Sequence, residues 1–392
     1  MELNRRNFLR ISGAGVAGTM MVGSVNTSAI IPESSRVIKP SKIIYRTLGR
    51  TGIKVPVISL GAMRTDNSGL MKAALDSGII HFDTAQSYQQ GRNEEMLGSF
   101  LKEYKRDNFT IATKVKVPRS ETTKEAFLAT IDESLKRLQV NYVDILYYHA
   151  VDKKEVVLNP EFIGLMEEAK KSGKVKFIGV SVHRNMAEVI NACVEAKIYD
   201  VVLTSYNVKM ADQPEMTDAL IAGGKAGIGF IAMKTMMGGY WDKQRTKKVN
   251  AKAALKWVLQ NENIHTTIPG ITSFEQLEES LSVMEDLTLT EKEREDLKGD
   301  GTTAGLFCIG CEQCVAQCPN HVPIPDIMRS YMYAYGYRDL KHAREVMDNL
   351  SGTDKSCSFC STCNVVCRQG FDIQNKAKDI WRIQDIPDEF LV

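Results

Sequence analysis

From Ile43 onward, short apolar runs alternate with longer stretches whose apolar residues recur every three or four positions. The runs are PVISLGAM, IIHFDTA, FTIATKV, VDILYYH, VKFIGVS, VVLTSYN, IGFIAMK and HTTIPG, eight in all. Between them lie helix-like segments such as TKEAFLATIDESLKRL and PEFIGLMEEAKKSGK. The runs are apolar throughout rather than alternating, as expected of parallel strands covered on both faces. Eight strand–helix units over residues 43–290 predict an α/β fold, a (β/α)8 TIM barrel, whose usual size is roughly 250 residues. A doubly wound open sheet is the alternative. It would carry a Gly-rich turn after its first strand, and ISLGAMRTDNSG is not one. The leading KIIYRTLGRTGIKV predicts a hairpin, with Gly49 and Gly52 in its turn, placed to plug the barrel floor.

Composition narrows the class. The chain has 392 residues, 43% of them hydrophobic and 25% charged, enough for two or three domains with buried cores. A net charge of +2 without a dense basic cluster gives no reason to expect nucleic acid as a partner. No apolar run reaches eighteen residues, so no transmembrane span is predicted. Residues 1–30 stand apart: Arg5-Arg6, then Phe8-Leu9, then a mildly apolar Gly/Ala-rich stretch. The segment resembles a twin-arginine export signal, against the plainer reading of a disordered basic tail. It implies an exported protein, periplasmic or membrane-associated, or a cytoplasmic one if the signal is not used.

The strand ends carry the candidate chemistry, because active sites of such barrels sit at the carboxyl ends of the strands. The second run ends on Asp83, with Tyr88 close behind; the third ends on Lys114; the fourth ends on His149. Each alone has an ordinary structural reading, as a cap, an ion pair or a core histidine. Together, at three successive strand ends, they predict a proton donor. Tyrosine ionises near pH 10, and a neighbouring ammonium lowers that value. Lys114, steadied by Asp83, is expected to do this for Tyr88, while His149 bonds a carbonyl oxygen.

Eight of the nine cysteines fall in two strings, CIGCEQCVAQCP and CSFCSTCNVVCR, that begin at Cys308 and Cys357. The spacing C-x2-C-x2-C-x3-C is the bacterial 4Fe-4S signature, in which the remote fourth cysteine serves the other cluster. One set is then Cys308, Cys311, Cys314 and Cys367, and the other Cys357, Cys360, Cys363 and Cys318. Zinc sites do not use such a run twice over, and disulfides fit the spacing poorly. Arg368 stands where a second proline is expected. DIMRSYMYAYGY and DLKHAREVMDNL read as two helices between the motifs, with the alternating tyrosines as packing groups. The tail, about 300–392, resembles an α-helical two-cluster ferredoxin domain. The linker is placed within LTLTEKEREDLKGDGTTAG.

GRTGIKVPVISLGAM, FDTAQSY, ATKV, DILYYH, GKVKFIGVS and AALKWVLQNENIHTTIPG carry a further resemblance. Over about Tyr45 to Met284 the chain resembles the aldo/keto reductase family. The resemblance implies a (β/α)8 barrel, a nicotinamide cofactor, NAD(P), without flavin, and the tetrad Asp83, Tyr88, Lys114 and His149. The family's cofactor positions match less well: Leu203 replaces a Gln, Met233 an aromatic and Gln276 an Arg. Ser181, Lys234, Gly270 and Glu279 remain the expected cofactor contacts. His81, Cys193, His265 and His342 are read as structural. The expected activity is hydride transfer between a nicotinamide and a small carbonyl or alcohol. The alternative is an electron-transfer subunit that hands electrons to a redox partner protein and uses the barrel as a scaffold. A third reading makes the clusters a structural staple for a lid.

Overall fold

The computed structural model describes residues 39–299, 304–350, 357, 360 and 363–391. The arginine-pair segment, residues 1–30, lies outside the described residues. Two strands, β1 (Tyr45–Thr47) and β2 (Lys54–Pro56), form the expected antiparallel hairpin. Gly52 turns it at φ 73°, a conformation that suits glycine. Leu48, at the tip, is fully buried in a cluster with Tyr147, Leu203 and Ile231 inside the barrel. The hairpin therefore does stopper the floor.

Eight parallel strands follow: β3 (Leu60–Gly61), β4 (His81–Asp83), β5 (Thr110–Lys116), β6 (Val143–His149), β7 (Val175–Val182), β8 (Val201–Ser205), β9 (Gly229–Met233) and β10 (Ile264–Thr267). Each run read from the sequence contributes one of them. The sheet closes on itself where Ile58 bridges Thr267 in parallel and the Ser59 amide donates to the Thr267 carbonyl at 2.8 Å. The outer helices are α1 (Ser68–Asp76), α2 (Arg92–Leu101), α3 (Lys124–Leu138), α4 (Pro160–Lys171), α5 (Met186–Ala196), α6 (Pro214–Lys225), α7 (Ala251–Leu259) and α8 (Phe274–Val283). Several start on side-chain caps, such as Thr123 for α3 and Ser273 for α8, which satisfy otherwise orphaned amides. These crossovers make every strand end face the same way, so the ends of β4, β5 and β6 meet at one mouth.

The linker begins later than the charge pattern suggested. Its acidic half is a further helix, α9 (Glu291–Lys298), with a Thr290/Glu293 capping box. Glu293 also pairs with the buried Lys256 at 3.1 Å, which holds α9 against the barrel. The charges that read as linker thus belong to a packed helix, whose Glu293 turns inward to Lys256 while Glu291, Lys292, Arg294, Glu295 and Lys298 face solvent.

The C-terminal domain is helical, with α10 (Ile324–Met332), α11 (Leu340–Asp348) and α12 (Ile373–Trp381). α10 runs on into a π-helical turn, Tyr333–Tyr337. Such turns often mark functional sites, and this one sits over the barrel mouth. Ion pairs seat the domain there: Arg184 reaches Asp326 and Glu312, each at 3.0 Å, and Lys243 meets Asp379. The backbones also touch. A Cβ placed on Gly336 would lie 2.7 Å from the Gly238 carbonyl oxygen. Gly336→Ala is therefore expected to destabilise docking by about 1–3 kcal/mol, the usual cost of overpacking, and to lower the melting temperature of the C-terminal domain. An unchanged melting curve would show that the domain is not held by this contact. Among the described residues no helix is long and apolar enough to cross a membrane.

Candidate active site

The tetrad assembles as its strand-end positions require. Lys114 Nζ donates to Asp83 in a direct ion pair and to the Thr84 carbonyl at 2.6 Å. Both members are almost wholly shielded, with 1% and 2% of their side chains exposed. Lys114 Nζ stands 4.9 Å from the centre of the Tyr88 ring. The Tyr88 and His149 rings meet edge to face at 5.8 Å. Ser87 Oγ lies 3.3 Å from His149 Nδ1, which leaves Nε2 as the nitrogen open to a ligand.

Ser87, Tyr88, Lys114 and His149 line a chamber of about 940 Å³ between the barrel mouth and the C-terminal domain, within the range that holds small molecules and cofactors. The far wall was not foreseen. Arg329, Tyr333 and His342 come from α10, its π-turn and α11, and they face Tyr88, Lys114 and His149 across the chamber. His342, read from sequence as structural, is one of the lining groups. Its ring also packs edge to face on Tyr333 at 4.3 Å. The other three residues read as structural are so: His81 Nδ1 is 2.7 Å from Thr110 Oγ1, His265 Nδ1 accepts from the Phe230 amide, and Cys193 is buried in α5.

One expectation is corrected. Tyr88 is not made more acidic; its hydroxyl is held well above the ordinary tyrosine value. Burial penalises the phenolate first, and the Asp83 carboxylate and Tyr333 add to it. The Lys114 ammonium, 4.9 Å from the ring centre, does not outweigh that burial. Burial also raises Asp83 and lowers Lys114, while the attraction within the pair opposes both shifts. His149 is pushed well below the usual imidazole range by burial, then by Lys114 and Arg329. The site thus presents a neutral hydroxyl and a neutral imidazole above a compensated ion pair.

Of the four expected cofactor contacts, two come together. Lys234 and Gly270 line a narrow trench of about 90 Å³ that starts at Asp83 and Tyr88 and runs past the ends of β9 and β10. Ser181 instead accepts a hydrogen bond from the Ala150 amide at 2.9 Å, and Glu279 lies on α8; neither lines the chamber or the trench. Two groups missed from sequence complete the trench: Arg64 beside β3 and Tyr337 as its roof. Lys234 has no carboxylate within ion-pairing distance among the described residues. It donates to Tyr333 Oη at 2.8 Å and lies 4.5 Å over that ring. Burial lowers it to about 8. Two cations, an aromatic face and a side-chain-free edge at Gly270, with a proton donor at one end, fit a phosphate-bearing nicotinamide. The room is tight, and the Tyr337 ring is what narrows it.

The structure places the four cysteines assigned to one set around one space. Cys308, Cys311, Cys314 and Cys367 line one small enclosed space with Pro325 and Phe371. Amides of Gly310 and Gln369 point at the sulfurs of Cys308 and Cys367. Burial pushes the free thiols of Cys308 and Cys314 up to about 12, and the neighbouring thiols add to it. Thiols crowded into such a space suit a cationic cluster that takes one thiolate per iron. Gln317, beside Cys318, exchanges hydrogen bonds with the Val366 backbone and so ties the two motifs together. Arg368, in the place of the second proline, reaches Glu215 of α6 at 3.4 Å. Of the second set, Cys318 is buried, and Cys357 and Cys360 adjoin stretches outside the described residues.

Residues 60–253 match the model of the aldo/keto reductase family, and residues 307–372 match that of a 4Fe-4S dicluster domain. The barrel thus carries an aldo/keto reductase match and the helical tail a 4Fe-4S dicluster match. The chain is an oxidoreductase, and the relatives it aligns with include proteins named as reductases and dehydrogenases. The L-glyceraldehyde 3-phosphate reductase of Escherichia coli strain K12 is 27% identical over 315 residues, covering 64% of this chain and 90% of that protein. The L-galactose dehydrogenase of Arabidopsis thaliana is 27% identical over 298 residues, covering 66% and 93%. Among solved structures, a thermostable aldo-keto reductase in complex with the inhibitor epalrestat superposes with a TM-score of 0.54 at 26% identity, covering 65% of this chain and 98% of that one. An aldo-keto reductase from Bacillus halodurans shares the fold, with a TM-score of 0.53 at 21% identity and coverage of 65% and 95%.

Proposed function

We propose that this oxidoreductase transfers hydride between a nicotinamide and a small carbonyl or alcohol held in the chamber. The observation that carries the reading is the common wall formed by Tyr88, His149 and Lys114, with Asp83 paired to Lys114 behind it. A carbonyl oxygen bonded by His149 Nε2 would lie beside the Tyr88 hydroxyl, which gives up its proton as negative charge develops on that oxygen. The Lys114 ammonium, under the phenol ring, offsets the charge left on Tyr88. Lys234, Arg64 and Gly270 would hold the nicotinamide, which supplies the hydride when bound.

The two cysteine sets would each hold a 4Fe-4S cluster. One observation favours a second reading, in which the clusters take part in electron transfer. The ligand Cys308 shares a small cavity with His183, Lys234 and Arg329, so the first set lies against the reaction chamber. Hydride moves two electrons at once, a cluster accepts one, and no flavin motif links the two units.

Anaerobically purified full-length protein, mixed with NADH or NADPH and a panel of small carbonyls and alcohols, separates these readings. Carbonyl-dependent loss of reduced nicotinamide is expected. Cluster bleaching should lag behind it by at least about tenfold, because one-electron steps from a nicotinamide are costly. Bleaching as fast as turnover would make the clusters direct electron acceptors. No nicotinamide oxidation with any substrate would sink the hydride reading.

A further inference from the structure

The barrel lacks the aromatic, Gln and Arg that the family resemblance leads one to expect around the cofactor; Met233, Leu203 and Gln276 stand there. Gln276 is no substitute, since its side-chain oxygen accepts from Thr272 at 2.8 Å. The trench is nevertheless walled, and the wall belongs to the other domain. Tyr337 roofs it. Arg64 fastens that roof: its guanidinium donates to the Tyr337 carbonyl at 3.0 Å, lies 5.3 Å over the Tyr337 ring and stands 3.9 Å from Asp339. Lys234 fastens the same π-turn one helical step earlier, at Tyr333. Met233, beside Lys234, lines the trench with a thioether and not with an aromatic ring.

We propose that the iron–sulfur domain completes the dinucleotide site of the barrel and gates it. Tyr337 supplies the aromatic face that β9 lacks, and the Arg64 and Lys234 latches close it over the trench. The inference rests on the nicotinamide reading above and adds a kinetic consequence. With the π-turn in place the trench holds only about 90 Å³, less than a dinucleotide fills, so both latches must part and the turn lift for the cofactor to enter or leave, and the turn settles back over it once bound. Each turnover changes the redox state of the bound nicotinamide and so requires its exchange, and the lifting of the turn sets the rate of that exchange. The two latches are unlike a surface ion pair, because both bind a turn that is packed backbone to backbone at Gly336 and Gly238. Their opening is a movement of the domain rather than of a side chain.

The test is the release rate of NADPH, and separately of NADH, from the anaerobic iron-loaded full chain, followed by nicotinamide fluorescence after addition of a trapping dehydrogenase. Release from the unaltered protein is expected to be at least about tenfold slower than the hydride step measured in a single turnover. Tyr337→Ala should speed it by about tenfold or more with iron and sulfide content unchanged. Asp339→Asn keeps a helix-capping side chain for α11 and loosens only the Arg64 latch; it should give a smaller acceleration and guards against a misfolded Tyr337 variant. Equal and fast release from all three proteins would overturn the gate while leaving the nicotinamide reading intact. Failure of every form to bind either dinucleotide would remove the nicotinamide reading and the gate with it.

Discussion

Replacing Tyr88 by Phe is expected to lower carbonyl turnover by roughly 100-fold or more, the contribution usual for a positioned acid. The ring keeps its edge-to-face contact with His149 and its place over Lys114; only the hydroxyl is lost. Dinucleotide binding should therefore change little, which separates a missing proton from a collapsed site. Single-turnover reduction measured with saturating NADPH reads the chemical step directly. The pH profile adds a second check. Burial and Asp83 hold the Tyr88 hydroxyl above its ordinary value of 10.0, so the acid form stays filled across the neutral and mildly alkaline range. Reduction should not decline there for want of a donor proton. A Tyr88→Phe variant that reduces substrate at the unaltered rate would show that a water or another group delivers the proton.

The parts of this molecule that were legible in advance depend on local pattern. Strands buried on both faces have to be apolar throughout, so VDILYYH and VVLTSYN announced themselves. Strand ends of a parallel barrel all face one mouth, so Asp83, Lys114 and His149 could be brought together without coordinates. The parts that were not legible depend on docking. Arg329, Tyr333, Tyr337 and His342 owe their role to the side of the helical domain that meets the barrel, and no periodicity encodes that. The alternation of tyrosines from 331 to 337 was the available signal. Read as packing, it was half right: Tyr331 and Tyr335 stack on each other at 4.5 Å, while Tyr333 and Tyr337 turn to the chamber and trench. The direction of the Tyr88 shift was missed for a different reason. Sequence names the neighbours of a group, but not how far water is excluded from it or whether a neighbour's charge is already engaged.

That engagement leads to the second large effect. Lys114→Ala leaves the Asp83 carboxylate 2% exposed and without its counter-charge, in a place where burial already raises it. Losing one member of a buried ion pair costs about 3–5 kcal/mol. The barrel of the variant is expected to melt well below the parent and to recover as pH falls. The sign follows from linkage. In the variant the folded-state value of Asp83 lies above its unfolded one, so the folded barrel binds the extra proton and is favoured at low pH. Asp83→Asn strands the Lys114 ammonium instead, and burial already lowers that group. There the folded state favours the neutral amine, so stability should recover as pH rises. The double replacement Asp83→Asn with Lys114→Met removes both charges and should restore most of the stability, because a buried pair contributes little beyond its apolar equivalent. It should not restore turnover, since no ammonium then remains under the phenol. Melting curves of the three variants across pH, set beside single-turnover rates, separate the two roles of the pair. Opposite pH trends in the single variants, with an inactive but stable double variant, would identify Lys114 as part of the chemistry. A double variant that regained activity along with stability would reduce the pair to a structural support for the strand ends beneath Tyr88.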